Sequence, residues 1–334
     1  MRASAVDQGT RLRVAAVIPH WNRADLLSTA LKSLAQQTRR FDEIIVVDNG
    51  STDDSARVAR EKGAKFLPLG RNTGFAWAVN RGIEEAQADW IAILNNDVTL
   101  DPGWLQNLLH AAEEAQAWFA AGKILSAADS SLIDATFDEL SRGACAWRCG
   151  AGRPDAPVWN EPRPIRIAPM TAALFRASLF HEIGPLDEAF ESYLEDVDFG
   201  LRCSLRGFGG IYEPSAIAYH RGSATLGQWN SDTVRRISRN QVLLTAKHFG
   251  AQPRFPILAG QLLWGLVALR HGRAVSFIRG KVEGVRRART LGIEKTQHSE
   301  LQGILTQSEE TILSLQRQTG FDRYWRVYFC LSRP

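Results

Sequence analysis

Cysteine is scarce in this sequence. Four of 334 residues, Cys145, Cys149, Cys203 and Cys330, are too few for a disulfide framework. Cys145 and Cys149 are close in sequence but have no second pair nearby, which argues against a zinc site. Long apolar runs are also absent. The longest, Ile257 to Leu269, is broken by Gln261 and stops at thirteen residues. That is short of the roughly 20 a membrane-crossing helix needs. The opening MRASAVDQGTRLR has no apolar stretch of signal-peptide type. The expectation is a cytoplasmic chain that does not span a bilayer but is free to lie on one. Nor is there an excess of one charge. A net charge of +4, with 23% charged residues of mixed sign, gives no footprint for nucleic acid, and no nucleic-acid partner is expected.

What is present is an ordinary globular composition, 45% apolar, in a chain long enough for one large domain or two. Residues 13–124 alternate in a βα rhythm. Short β-rich runs are expected at Arg13–Ile18, Glu43–Val47, Lys65–Leu67 and Trp90–Leu94. Helical patterns at Ala24–Gln37, Asp53–Lys62 and Phe75–Gln87 separate them. This order predicts an α/β fold with a mostly parallel, doubly wound central sheet, whose ligands sit beyond the carboxyl ends of the strands. Residues 126–165, rich in Gly, Pro, Asp and Arg, read as a long loop region. A strand at Thr171–Arg176, a helix from about Glu195 to Arg206 and a strand-like Ile211–Tyr219 follow. The chain from Ser231 onward is largely helical.

The polar clusters fall where such a sheet would bind. Asn95–Asn96–Asp97 ends a buried-type strand, where a carboxylate can hold a hard cation; it can equally form a turn. Asp48–Asn49 ends Ile-Ile-Val-Val, a run with no other polar residue, so Asp48 is a candidate acceptor for the ring N–H of a pyrimidine; Ser51, Thr52 or Asp53 can cap the next helix. Asn72–Thr73–Gly74–Phe75 opens a helix, whose N–H groups favour phosphate, or merely caps it. Glu195, Asp196 and Asp198 sit in a first helical turn. Acids there stabilise the helix dipole, and one can also serve as a general base. His220, near a strand end, is a candidate metal ligand or a structural histidine.

Taken together, these segments resemble inverting glycosyltransferase family 2, of the GT-A fold. Val-Ile-Pro-His-Trp-Asn-Arg (17–23), Ile-Val-Val-Asp-Asn-Gly-Ser-Thr-Asp (45–53), Asn-Thr-Gly-Phe-Ala (72–76) with Asn80 and Gly82, and Leu-Asn-Asn-Asp-Val (94–98) resemble its donor half. Gly-Pro-Leu-Asp-Glu-Ala-Phe (184–190) with Tyr-Leu-Glu-Asp-Val-Asp-Phe-Gly-Leu-Arg (193–202), and the closing segment 212–225, resemble its acceptor half. The match extends over about residues 13–250 and is most similar to the bacterial rhamnosyltransferase-like group. The sequence departs from the family in reading Asn-Asn-Asp where Asp-x-Asp is usual, which leaves Asp97 as the one anionic ligand there. It also carries Trp21 where Tyr is frequent.

The resemblance implies a glycosyltransferase domain over 11–250, with a nucleotide-sugar half (11–125) and an acceptor half (126–250), and a helical C-terminal region over 251–334. It implies donor contacts from Pro19, Trp21, Asn22, Arg23, Asp48, Asn49, Asn72, Gly74, Phe75, Asn80, Asn95 and Asn96. A divalent cation, Mg²⁺ or Mn²⁺, would be held by Asp97 and His220. Asp196 would be the catalytic base, with Glu195, Asp198 and Thr171 on the acceptor side. The donor would be dTDP-rhamnose or a UDP-sugar, and the acceptor a glycan or lipid-linked glycan of the bacterial cell envelope. The alternative is a non-catalytic nucleotide-sugar-binding or assembly scaffold. A nicotinamide oxidoreductase is excluded by the lack of G-x-G-x-x-G after the first strand. Between Arg270 and Arg289 seven basic residues face one acid, Glu283, directly after the apolar run. This stretch suits an anionic membrane surface on the inner face of the plasma membrane; a core helix or a homodimer contact is the competing reading.

Overall fold

The computed structural model describes residues 11–222, 229–250, 252–290 and 298–332. The last three residues of the closing segment, 223–225, lie outside them. The first half runs β1 (Val14–His20), α1 (Ala24–Ala35), β2 (Glu43–Asp48), α2 (Ser55–Glu61), β3 (Lys65–Pro68), α3 (Phe75–Glu85), β4 (Trp90–Leu94), β5 (Val98–Leu100), α4 (Trp104–Glu114) and β6 (Phe119–Ser126). Strands β7 (Ile133–Ala135), β8 (Asp138–Leu140), β9 (Ala146–Arg148), β10 (Arg163–Ile165) and β11 (Ala172–Arg176) follow. Next come α5 (Ala177–Ile183), α6 (Glu195–Leu205) and β12 (Gly210–His220). The chain closes with α7 (Ser231–His248), α8 (Arg254–Arg270), α9 (Ala274–Ala288), α10 (His298–Thr319) and α11 (Arg323–Leu331).

The main sheet has the order β10-β12-β6-β11-β4-β1-β2-β3. Its β3-β2-β1-β4 half is parallel, as the βα rhythm predicts. Every residue of β1 is buried, because helices cover both faces of a parallel sheet. Gly82 explains how closely α3 lies on that sheet. A β-carbon there would come within 2.3 Å of Val17 Cγ1, so no larger residue fits. β11 then enters antiparallel between β4 and β6. The expected elements match the observed ones to within two residues at each end.

Residues 126–165 correct the expectation. They are no long loop but carry β7, β8, β9, β10 and a 3₁₀ turn at Pro157–Trp159, with Phe137, Leu140, Trp147 and Trp159 buried. Strands of three residues are too short to show a period of two. The C-terminal helices pack on this segment. Leu140 N–H donates to Ser308 Oγ at 2.8 Å, and Arg142 and Arg153 pair with Glu309 and Asp322 at 2.7 Å each.

α6 is fastened to α7 by a buried ion cluster. Asp198 accepts from Arg202 Nε at 2.9 Å, lies 3.0 Å from Lys247 Nζ and meets His248 Nε2 at 2.8 Å. Burial alone would raise the Asp198 pKa. The His248 hydrogen bond and the charges of Arg202 and Lys247 outweigh it and hold the carboxyl well below the usual range. Asp198→Asn is expected to leave the buried Arg202 without its anion and Lys247 with Asp187 alone, and to cost about 3–5 kcal/mol in urea unfolding at pH 7. Because its folded pKa is depressed, the wild-type contribution is complete above the unfolded value of about 3.9 and fades as pH falls below it. A variant as stable as wild type at pH 7 would contradict this.

Candidate functional site

A cavity of about 1890 Å³ opens at the carboxyl ends of β1 and β4 and runs back to the β8–β9 hairpin, the start of α6 and the inner sides of α8 and α11. It is larger than the 300–1,000 Å³ usual for one small ligand. Pro19, Trp21, Asn49, Asn72, Gly74, Phe75, Asn95 and Asn96 line it together with Asp97, His220, Thr171, Glu195 and Asp196.

Strand register brings Asp97 and His220 together. β5 pairs Val98 with His220, so Asp97 falls beside that histidine. Asp97 Oδ1 lies 3.2 Å from His220 Nε2, while Asp134, from β7, holds His220 Nδ1 at 2.9 Å. Burial would lower the His220 pKa; the hydrogen bonds to Asp134 and Asp97 raise it to about 9. A second chain of hydrogen bonds joins this motif to the turn after β2. Asn96 Nδ2 donates to His20 Nδ1 at 2.8 Å, which leaves His20 Nε2 to donate to Ser55 Oγ at 2.6 Å. Ser55 in turn donates to Asp53. Burial pulls the His20 pKa down to about 4, so the ring is neutral and keeps this donor–acceptor order.

Several sequence candidates stand elsewhere. Asp198 does not line the cavity; it is the buried anion of the α6–α7 cluster. Asn80 is a clamp, exchanging hydrogen bonds of 2.9 Å with both the N–H and the carbonyl of Leu186. Asn22 and Arg23 shape the first turn in left-handed conformations. Asn22 Oδ1 accepts from Thr52 N–H at 2.9 Å, and Arg23 pairs with Asp25 at 3.1 Å. Asp48 is buried and receives both the N–H and the hydroxyl of Ser51. The phosphate reading of the α3 start also needs correcting. Phe75 N–H is bound by Ser192 Oγ at 3.1 Å and Ala76 N–H by the Glu191 carbonyl at 2.9 Å. Gly74, at φ 93°, allows this approach; a β-carbon would stand 2.9 Å from the Glu191 oxygen.

Asp196 lies at the head of α6 and lines the cavity. Burial raises its pKa by more than Arg148 lowers it, which makes it a stronger base than a surface carboxylate. Arg148, from β9, stands 3.6 Å from Asp138, whose carboxyl burial pushes up to about 7. The segment before α6 is held in an unusual shape. Glu191, Tyr193 and Leu194 all have positive φ. α7 fixes them. The fully buried Asn240 donates to the carbonyls of Phe190, Ser192 and Tyr193 at 2.8, 2.9 and 2.6 Å, and Arg239 Nη2 to that of Phe190 at 2.7 Å. The Glu191 carboxylate binds Arg236, Arg239 and Arg287 at 2.8, 3.0 and 2.7 Å.

Asp134, Asp138, Arg148, Glu191 and Asn240 were not found from sequence. The first three sit in the segment read as loop. The one available signal for Asn240 was an Arg-Asn pair inside an otherwise amphipathic helix.

The chain matches the family model "Glycosyl transferase family 2" over residues 15–184. It is 30% identical over 249 residues to N-acetylglucosaminyl-diphospho-decaprenol L-rhamnosyltransferase of Mycobacterium tuberculosis, a match covering 67% of this chain and 81% of that one. It is 27% identical over 299 residues to the pre-mycofactocin glycosyltransferase of the same organism, covering 88% and 61%. Among solved structures, the fold is similar to GalNAc-T7 with UDP, GalNAc and Mn²⁺ (TM-score 0.63, 12% identity, covering 91% of this chain and 58% of that one). It is also similar to a mannosyltransferase from Pyrobaculum calidifontis in complex with GDP-Man and Mn²⁺ (TM-score 0.53, 16% identity, covering 98% and 88%). The architecture is the GT-A fold.

Asn240→Ala should strip the Ser192 and Tyr193 carbonyls of this donor, at about 1–3 kcal/mol for each group left unpaired, while the Phe190 carbonyl keeps Arg239. Hydrogen exchange at residues 190–196 should speed up tenfold or more while β1 and β4 keep their protection. Unchanged exchange in that loop would show that α7 does not hold it.

Proposed function

The chain belongs to glycosyl transferase family 2, and on that premise we propose that it moves a sugar from a nucleoside-diphosphate donor to a hydroxyl of a glycan acceptor with inversion at the anomeric carbon. The observation that carries this reading is that one cavity is lined both by the Asp97–His220 pair and by a carboxyl of raised basicity, Asp196.

Asp196 accepts the proton of the acceptor hydroxyl as its oxygen attacks the anomeric carbon. The bond from that carbon to the diphosphate oxygen breaks, and the nucleoside diphosphate leaves with the electron pair. One base suffices, because the leaving group is already activated, and a single displacement inverts the configuration. Burial and the neighbouring Asp196 charge push the Glu195 carboxyl well above the usual range. In this reading Pro19, Trp21 and Asn49 contact the nucleotide and Thr171 flanks the acceptor; all four line the cavity.

The residues fit a divalent cation. Asp97 and His220 would hold it with an oxygen and an imidazole nitrogen once the ion displaces the Nε2 proton that now lies between them, and Asp134 would orient the ring through Nδ1, as carboxylates do for metal-bound histidines. Among the described residues no group of three or more His, Cys, Asp or Glu is gathered to hold a metal unaided. The remaining ligands would be diphosphate oxygens and water, the preference of Mg²⁺ and its relative Mn²⁺. Such an ion supplies charge neutralisation on the leaving diphosphate. Both similar solved structures contain Mn²⁺.

For the acceptor we favour a lipid-linked glycan of the cell envelope, met at the inner face of the plasma membrane. The support is a relative whose name specifies a decaprenol-diphosphate acceptor and rhamnose as the sugar. A rhamnosyl donor is the first to test.

Asp196→Asn should bind donor normally and lose transfer by about 10²–10⁴-fold. An active variant would reject Asp196 as the base. Asp97→Ala should abolish the Mn²⁺-dependent part of nucleoside diphosphate binding in calorimetry; unchanged affinity would remove the metal role. Proton NMR of the first product formed should show the anomeric configuration opposite to that of the donor, and retention would overturn the mechanism.

A further inference from the structure

α8 carries apolar residues on every side, with Gln261 the one polar residue between its terminal arginines, a pattern normally found in protein interiors. Here one side is in solvent. Phe255, Leu258, Leu262, Leu266 and Leu269 are each 59–69% exposed. At about 100° per residue they fall within an arc of roughly 80°. α9 repeats the arrangement with Val275, Ile278, Val282 and Val285, exposed by 46–62% and likewise confined to about 80°. The two helices follow one another through a short turn and touch where Gly265 meets the Phe277 ring. Nine large apolar side chains on two stripes are far more than the scattered exposed residues of an ordinary surface.

Charge selects what covers them. Arg254 and Arg270 close the two ends of the α8 stripe, and Arg279, Arg286 and Arg289 border the α9 stripe. All five are exposed and have no ion-pair partner among the described residues. The one acid between residues 252 and 290, Glu283, is already paired with Arg235, Arg239 and Arg287. A second copy of the chain, packed by a two-fold axis, would set this arginine border against itself. An anionic phospholipid surface offers both an apolar layer for the stripes and phosphates for the guanidiniums. No helix among the described residues is long and apolar enough to cross a membrane, so the helices would lie in its plane.

We propose that α8 and α9 form the surface by which this protein docks on an anionic bilayer. It rests on the reading of a lipid-linked acceptor for its purpose, and adds how that acceptor is reached. The side of α8 opposite the stripe presents Trp264 and Val267 to the cavity, so one helix separates the bilayer from the site. A polyprenyl chain left in the membrane then needs to lift its sugar past a single helix.

The test is co-sedimentation with vesicles of phosphatidylglycerol and phosphatidylcholine. The full chain is expected to pellet with them at low salt, to be released as salt screens the charges, and to ignore pure phosphatidylcholine. Leu262→Asp with Leu266→Asp, and separately Arg279→Gln with Arg286→Gln, should each weaken binding at least tenfold. Because these side chains face solvent, circular dichroism and donor hydrolysis in solution should stay at wild-type levels. A wild-type protein that remains in the supernatant with phosphatidylglycerol vesicles at low salt overturns the proposal. So does a stable dimer that the two aspartates dissociate while vesicles are ignored, which would assign the stripes to a second copy. Vesicle binding without any donor turnover would leave the docking intact and defeat the transferase reading instead.

Discussion

The grip of α7 on the stretch before α6 is the constraint on which the site depends. Three non-glycine residues, Glu191, Tyr193 and Leu194, are held at positive φ within four positions, and such conformations cost about 1–3 kcal/mol each. Left alone, the chain would relax. Asn240 and Arg239 prevent this by taking the carbonyls that the turn exposes, and the Glu191 carboxylate adds three arginines from two helices. The same turn supplies the partners for the first N–H groups of α3. One constrained pentapeptide therefore fixes both the start of α6, where the acidic pair stands, and the wall of the opposite half.

A second connection keeps two loops of the N-terminal half in step. The turn after β2 and the motif after β4 come from strands on either side of β1, and His20, at the end of β1, bridges them. Its neutrality matters. A charged ring would donate from both nitrogens and would have to break the bond from Asn96. Burial enforces the neutral form and so preserves a directional chain from Asn96 to Asp53.

Much of the N-terminal half was legible in the sequence because parallel strands buried on both faces leave continuous apolar runs such as Ile-Val-Val. The polar residue ending such a run, Asp48 or Asp97, is then conspicuous. The motif order also marked Asp196 and Glu195. What was hidden depends on long-range pairing. Asp134 comes next to His220 through the registers of β6, β7 and β12, and Asp138 meets Arg148 across a hairpin of three-residue strands. No local pattern records these. Asp198 misled for a related reason: three acids in a first turn look alike until the tertiary packing sends one inward to Lys247 and His248. The helical C-terminal region was legible as helix. That its apolar stripes point outward was not, since Ile257–Leu269 reads the same whether it faces core or solvent.

α8 faces two ways, and this limits how it can change over time. Substitution on its outer side leaves the cavity wall untouched, so those positions are free to drift among apolar residues. Insertion is another matter. One added residue ahead of Trp264 would turn the rest of the helix by about 100°. Trp264 would leave the cavity, a leucine would enter it, and the close contact of Gly260 with Gly143 would be set against the new rotation. The length of this helix is therefore held more tightly than its composition, a constraint that shows in indels rather than in residue identity.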